Sequence, residues 1–234
     1  MFFAEKLLKE GADVAVAAYK QIVGSSFVVE ETEKSVTTDT FRGKIDRVDG
    51  TNQYVRIVDY KTGSIDDTAL SYYTGRKMQM QLYMSAIKGE RIPAGVFYFP
   101  ASVDYTDTSE GKFQMKGFLN GDTDALLCGD KSLTEDKQSE FFPASLKNTY
   151  SKRVMDESTF RDFLDYSVFV SRQAQEELKD GFIAPTPYAA SCDYCKYGGM
   201  CGFSRDVCSA RQEQSIDAAA IAEIARKKRD GEED

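Results

Sequence analysis

The chain has 234 residues, 41% hydrophobic and 29% charged, with 15 Phe and 13 Tyr, enough for one substantial core and too aromatic for a disordered chain. A formal net charge of −8 argues against a large basic surface for autonomous nucleic-acid binding, but not against carboxylates that hold cations. The lack of any histidine excludes Ser-His and Cys-His triads, HExxH metalloproteases and histidine-ligated deaminase sites, so a general base must be a carboxylate, Lys, Tyr or metal-bound water.

In chain order, residues 2–22 carry a helical rhythm (Phe3, Leu7, Leu8, Val14, Ala17, Ala18, Ile22). They read as one helix or as two short ones broken at Gly11. Residues 27–31 read as a strand. Residues 41–49 and 53–60 alternate around the turn signal Gly50-Thr51-Asn52 and predict a hairpin or meander. Ile45 and Val48 do not share one clean face, so a bulge or local twist is expected near Asp46. A helix is expected within 67–89 and a buried central strand at 94–100, between Pro93 and Pro100. Residues 103–150 are polar and read as an excursion with a strand near 113–117 and partly mobile loops. Residues 156–180 give the clearest helix, capped by Asp156 and stopped by Gly181. A last helix is expected over 213–229. No run reaches the roughly 18 apolar residues of a membrane span, and the N-terminus lacks a signal-peptide pattern, so the expected location is cytoplasmic.

The chemistry concentrates in GKID (43–46) and VDYKTG (58–63). Residues i and i+2 of a strand share a face, so Asp59 and Lys61 project together, and strand pairing brings Asp46 to them. Paired carboxylates suit a hard cation such as Mg²⁺, or Mn²⁺ in its place, with the Tyr60 carbonyl as a further oxygen donor. A bound cation lowers the pKa of water and stabilises charge on a phosphate. Lys61 could orient that water or meet developing negative charge. Arg42, Lys44 and Arg47 are expected to add positive charge for a phosphate substrate. Against this stands the plain alternative that D-x-K in a strand is a solvent-facing pattern.

FRGKIDRVD, VRIVDYKTG and the later QMQLYMSA resemble the nuclease motifs of the RecB-like branch of the PD-(D/E)XK superfamily. Within it they are most similar to the C-terminal nuclease domain of the AddB-type subunits of ATP-dependent helicase/deoxyribonucleases. The resemblance implies a restriction-endonuclease-like α/β fold, a mixed central sheet flanked by helices, and catalytic residues Asp46, Asp59, Lys61, Gln79 and Tyr83. Gln79 and Tyr83 also share a helix face by their i,i+4 spacing. An upstream acid is implied as a further metal ligand. Glu5, Glu10 and Glu30 are the candidates here, the alternative being a segment outside this chain. No GxxxxGK[ST] loop is present, so the chain alone should not hydrolyse ATP.

Of five cysteines, Cys192, Cys195, Cys201 and Cys208 fall within 17 residues. Short spacings in a glycine-rich stretch suit thiolate ligation of zinc or of an iron–sulfur cluster, which spacing alone does not separate. The resemblance implies a [4Fe–4S] cluster on Cys192, Cys195 and Cys201, with Cys208, or less plausibly Cys128, replacing a distant fourth ligand. Its role would be a clasp tying the C-terminal segment to the core. The expected organisation is a nuclease domain at 1–188, a cysteine-rich segment at 189–210, and a helix and tail at 211–234.

The expected function is Mg²⁺-dependent phosphodiester hydrolysis of DNA, as an exonuclease module in double-strand break repair beside a helicase partner subunit. Two rivals are a DNA-binding or scaffold domain with a decayed site and a thiolate-metal redox protein.

Overall fold

A computed structural model of the chain describes residues 2–101, 112–147, 152–182, 184–193, 195–204 and 210–231. At its centre lies a six-stranded sheet in the order β1-β2-β3-β4-β5-β6. The strands are β1 (Val28–Thr37), β2 (Arg42–Gly50), β3 (Tyr54–Lys61), β4 (Ile92–Pro100), β5 (Lys116–Asn120) and β6 (Val154–Met155). β1 to β3 form an antiparallel meander, β3 and β4 run parallel, β4 and β5 antiparallel, and β5 and β6 parallel. The sheet is therefore mixed, as the sequence predicts. The parallel β3–β4 pair needs a crossover, which carries α2 (Ala69–Tyr73) and α3 (Gln79–Ile87).

Helices cover both faces. On one, α3, α5 (Glu157–Lys179) and α6 (Ala218–Asp230) pack over Val48, Val55, Ile57, Val96 and Phe118. On the other, α1 (Phe2–Gly24) and α4 (Thr123–Gly129) cover Val58, Phe97, Phe99 and Leu119. β3 and β4 are apolar on both sides because both sides are roofed. α5 starts where Asp156 accepts the Thr159 N–H and is followed by Gly181 at φ 75°, as capping predicts. Its buried Phe163 meets Phe118 at 4.7 Å between ring centres, each such side chain contributing about 1.5–3 kcal/mol by burial. Among the described residues no helix is long and apolar enough to cross a membrane.

Several elements differ from expectation. α1 runs unbroken through Gly11, which faces open space. β1 continues past the expected end at residue 31 to Thr37, because an edge strand can be polar on its open side. The 67–89 helix is two helices, split where Gly75 takes φ 75°. The expected 113–117 strand lies at 116–120. The excursion is also less polar than its composition suggests. Met115, Leu126, Leu133 and Phe142 are buried under α1's face of the sheet, and the buried Asp130 accepts from the Ser132 and Ser139 hydroxyls. The remainder of the expected mobile loops, 102–111 and 148–151, lies outside the described residues.

The irregularity expected at Asp46 is present in an unexpected form. Thr32↔Arg47 and Lys34↔Ile45 keep one register, so no residue is inserted, but the pairing passes over Glu33 and Asp46. Glu33 takes a left-handed φ of 54°, which is uncommon outside glycine. Gly43 and Ile45 before Asp46, and Val48 after it, all face the α3–α5 layer, so alternation slips there. A separate register shift lies in β1 between Val29 and Glu31.

Candidate active site

β2 and β3 pair through Arg47↔Val58, Val48↔Ile57, Asp49↔Arg56 and Gly50↔Val55. One rung further, Asp46 stands across from Asp59, and residues facing each other across antiparallel strands share a side. The ladder opens at that rung. There the Asp46 carboxylate (Oδ2) accepts the Tyr60 N–H at 2.8 Å. Asp59 is buried and forms an ion pair with Lys61 Nζ at 2.6 Å. Lys61 keeps about a third of its surface exposed and lies 5.5 Å from the centre of the Tyr98 ring. Burial pushes the Asp59 carboxyl above its usual range and the Asp46 charge adds to that, while Lys61 pulls it down. Asp46, Asp59 and Lys61 are thus brought together at the open end of the hairpin.

Gln79 and Tyr83 enter from α3. Gln79 Nε2 donates to the Tyr83 hydroxyl at 3.0 Å, and that hydroxyl accepts the Lys44 N–H at 3.1 Å. The approach depends on Gly43, where a Cβ would lie 2.1 Å from the Tyr83 oxygen. α3 is therefore bolted to β2 just ahead of Asp46. Gly43 is a site residue that the motif reading does not single out, although it stands inside GKID. Tyr98, across from Asp59 in the β3–β4 register, and Lys77, whose charge reaches Asp59, also join the site unforeseen. No local signal marks either.

Two expectations about charge need correction. Arg47 does not sit beside the carboxylates. It projects to the α1 face, 2% exposed, and pairs with Asp49 at 2.9 Å. Lys44 is exposed but pairs with Glu33 across β1 and β2. The upstream-acid candidates also lie elsewhere. Glu5 and Glu10 belong to α1, which packs on the opposite face. Glu30 accepts from Arg91 at 2.7 Å beside Gly50, at the far end of β2.

Among the described residues no group of three or more His, Cys, Asp or Glu is placed to hold a metal ion. The donors that converge are two carboxylates, with the Tyr60 carbonyl next to Asp59 in sequence. An all-oxygen set with one carboxyl raised by burial fits a hard divalent cation in its chemistry.

Of the expected cysteine ligand set, three residues are described. Cys192 ends a short 3₁₀ turn (Ala189–Cys192), and Cys195 and Cys201 are exposed. Turn bonds space them along the chain, with Cys195 N–H to Cys192 O and Cys201 N–H to Tyr197 O. Among the described residues these three form no group placed to hold a metal, and Cys208 lies outside those residues. Cys128 sits half-buried against the Phe27–Tyr54 cluster, where burial pushes its thiol up.

Comparison with known proteins agrees with the geometry. The sequence profile of the PD-(D/E)XK nuclease superfamily matches residues 2–202. The AddB-type chain of the ATP-dependent helicase/deoxyribonuclease of Lachnoclostridium phytofermentans is 30% identical over 197 residues, covering 69% of this chain and 17% of the relative. Its counterpart in Bacillus velezensis is 30% identical over 208 residues, covering 75% and 18%. The counterpart in Clostridioides difficile is 29% identical over 201 residues, covering 70% and 17%. The chain thus spans less than a fifth of the length of these relatives. With that profile matched across the sheet and the hairpin site, the chain belongs to the PD-(D/E)XK nuclease superfamily.

Proposed function

We propose that the chain is a divalent-cation-dependent deoxyribonuclease module. It would act as an exonuclease on DNA ends delivered by a helicase partner subunit, in double-strand break repair. The observation that carries this is the convergence of Asp46, Asp59 and Lys61 where the β2–β3 ladder opens. Asp46, Asp59 and the Tyr60 carbonyl would hold Mg²⁺ or Mn²⁺, which when bound supplies an activated water and charge stabilisation on the phosphate. Lys61 has no lone pair to give a cation. It faces the same space with a third of its surface open, suited to holding the scissile phosphate or positioning water. Gln79 and Tyr83 keep α3 against β2 and so fix the wall beside Asp46. The helicase partner rests on what the relatives' names say of those proteins, and the repair setting on what the motif resemblance implies. The test is cleavage of end-labelled linear single- and double-stranded DNA with Mg²⁺, Mn²⁺ or chelator. Cation-dependent products from the parent, and none from Asp59→Ala, are expected. Equal products with chelator would overturn the reading.

A second reading, a DNA-binding or scaffold domain with a decayed site, is favoured by the lack, among the described residues, of a third acidic ligand beside Asp46 and Asp59. It predicts DNA binding without cleavage under any cation.

A further inference from the structure

The two sides of the β2–β3 hairpin are joined through Tyr60. Its backbone N–H serves the Asp46 carboxylate on the site side at 2.8 Å. Its ring lies on the α1 side, against Phe99 at 5.3 Å between centres. There its hydroxyl accepts from Arg47 Nη1 at 2.7 Å. Arg47 is itself fixed, since Nη2 donates to Gln21 of α1 at 2.5 Å and to Asp49 at 3.0 Å. Asp49 is held in turn by Arg56 Nε at 2.9 Å. None of Gln21, Arg47, Asp49 or Arg56 reaches the site side.

We infer that Arg47 is a positioning residue for the cation site, acting across the sheet through Tyr60, with Gln21 of α1 as its support. This rests on the nuclease reading above. The mechanical argument is direct. At the rung where the ladder opens, Asp46 has no strand pairing, so the Tyr60 N–H bond is what orients its carboxylate. Tyr60 is the next-to-last residue of β3, held by β4 on one side through Tyr60↔Phe99 but beyond the last β2 rung on the other. The Arg47 bond and an aromatic neighbour tie it. Loss of the tie lets residue 60 swing, which loosens the Asp46 bond and moves the adjacent carbonyl. Outer partners that orient metal ligands typically carry about 10–100-fold in metal affinity.

The test uses Tyr60→Phe, which keeps the ring and removes only the acceptor, and Arg47→Lys, which keeps a counter-charge for Asp49. Gln21→Leu is the milder third variant. Amide hydrogen exchange at residue 60, followed by NMR without metal, reports the tie independently of activity. Exchange faster by about 10-fold or more is expected in Tyr60→Phe and Arg47→Lys, with less change in Gln21→Leu and a melting temperature near the parent's in Tyr60→Phe. Mn²⁺ titration calorimetry should then show affinity weaker by about 10-fold or more. Cleavage should fall at limiting Mn²⁺ and recover at saturating Mn²⁺, a dependence that general destabilisation does not produce. Unchanged exchange at residue 60, or unchanged Mn²⁺ affinity in both variants, overturns the inference. Altered exchange and affinity in a protein whose parent never cleaves DNA overturns the nuclease reading and leaves the positioning of the cation site standing.

Discussion

The β2–β3 hairpin carries charge on both faces, and the faces use it differently. On the α1 side, Arg47, Asp49 and Arg56 are 1–2% exposed, and both guanidiniums pair with the one carboxylate. Burial pulls Arg56 down to about 10, the Asp49 charge opposing that shift, and its guanidinium lies 4.2 Å from the Phe27 ring centre. On the other side, Asp46, Asp59 and Lys61 sit at an open rung with Lys61 partly in water. A cluster closed off from solvent presents no open face to a ligand, so it serves the fold. An open one, with a carboxyl raised by burial, can accept a cation or a proton. Proximity of acids and bases does not separate structural from chemical charge; incomplete closure does.

The contrast is broken most severely by Asp49→Ala. It leaves two buried guanidiniums without their shared carboxylate and should cost about 3–5 kcal/mol in urea unfolding. A loss under about 1 kcal/mol would show that water reaches Arg47 and Arg56. Lys61→Ala is the counterpart on the open side. It should keep the fold by circular dichroism, keep or raise Mn²⁺ affinity in calorimetry, and lower the cleavage rate by about 10²–10³. Asp59→Ala should lose affinity and cleavage together. A Lys61→Ala variant that cleaves within about threefold of the parent would remove Lys61 from the mechanism.

Gly43→Ala sharpens the comparison from the helix side. The new methyl group meets the Tyr83 hydroxyl, so α3 or β2 must shift, at about 1–3 kcal/mol in thermal or urea unfolding. Cleavage should drop more than DNA binding does. The smallest effect belongs to a group remote from both faces. The Ser158 hydroxyl, and then the Thr159 hydroxyl and N–H, hold Asp156 at about 2, below its ordinary value. A carboxyl depressed on folding stabilises above its ordinary pKa, and that contribution is lost as pH falls through about 2. Asp156→Ala should therefore cost about 0.5–2 kcal/mol at neutral pH, with the gap to the parent closing in acid melts.

What could be read from the sequence follows from locality. Asp59 and Lys61 two apart on a strand and Asp46 across a short turn need only the strand period, while Gln79 and Tyr83 come from the motif resemblance, the helix period adding only that they share a face. α5 with its cap comes from the same patterns, and the mixed sheet from what the resemblance implies. Arg47 is misjudged from sequence because DRVD looks like surface charge. Gln21 and Tyr60, which bind it, are 26 and 13 positions away, and only the pairing register and α1 reveal them. The core role of 112–147 is hidden for a related reason. Met115, Leu126, Leu133 and Phe142 follow no period and meet only through tertiary packing. The cysteine spacing, by contrast, is easy to read, but the three described thiols form no group placed to hold a metal.

The departures of β1 bear on how the molecule avoids its own copies. A long edge strand offers a row of backbone donors and acceptors to any passing chain. Here the register shift after Val29 and the left-handed Glu33 break that row into short, misaligned pieces. Glu31, Glu33 and Lys34 add charges that a stacked copy would have to bury. The kink beside Asp46 thus also guards against edge-to-edge aggregation. Straightening it, for instance with Glu33→Val, should promote fibrous or oligomeric species at high protein concentration, seen by light scattering.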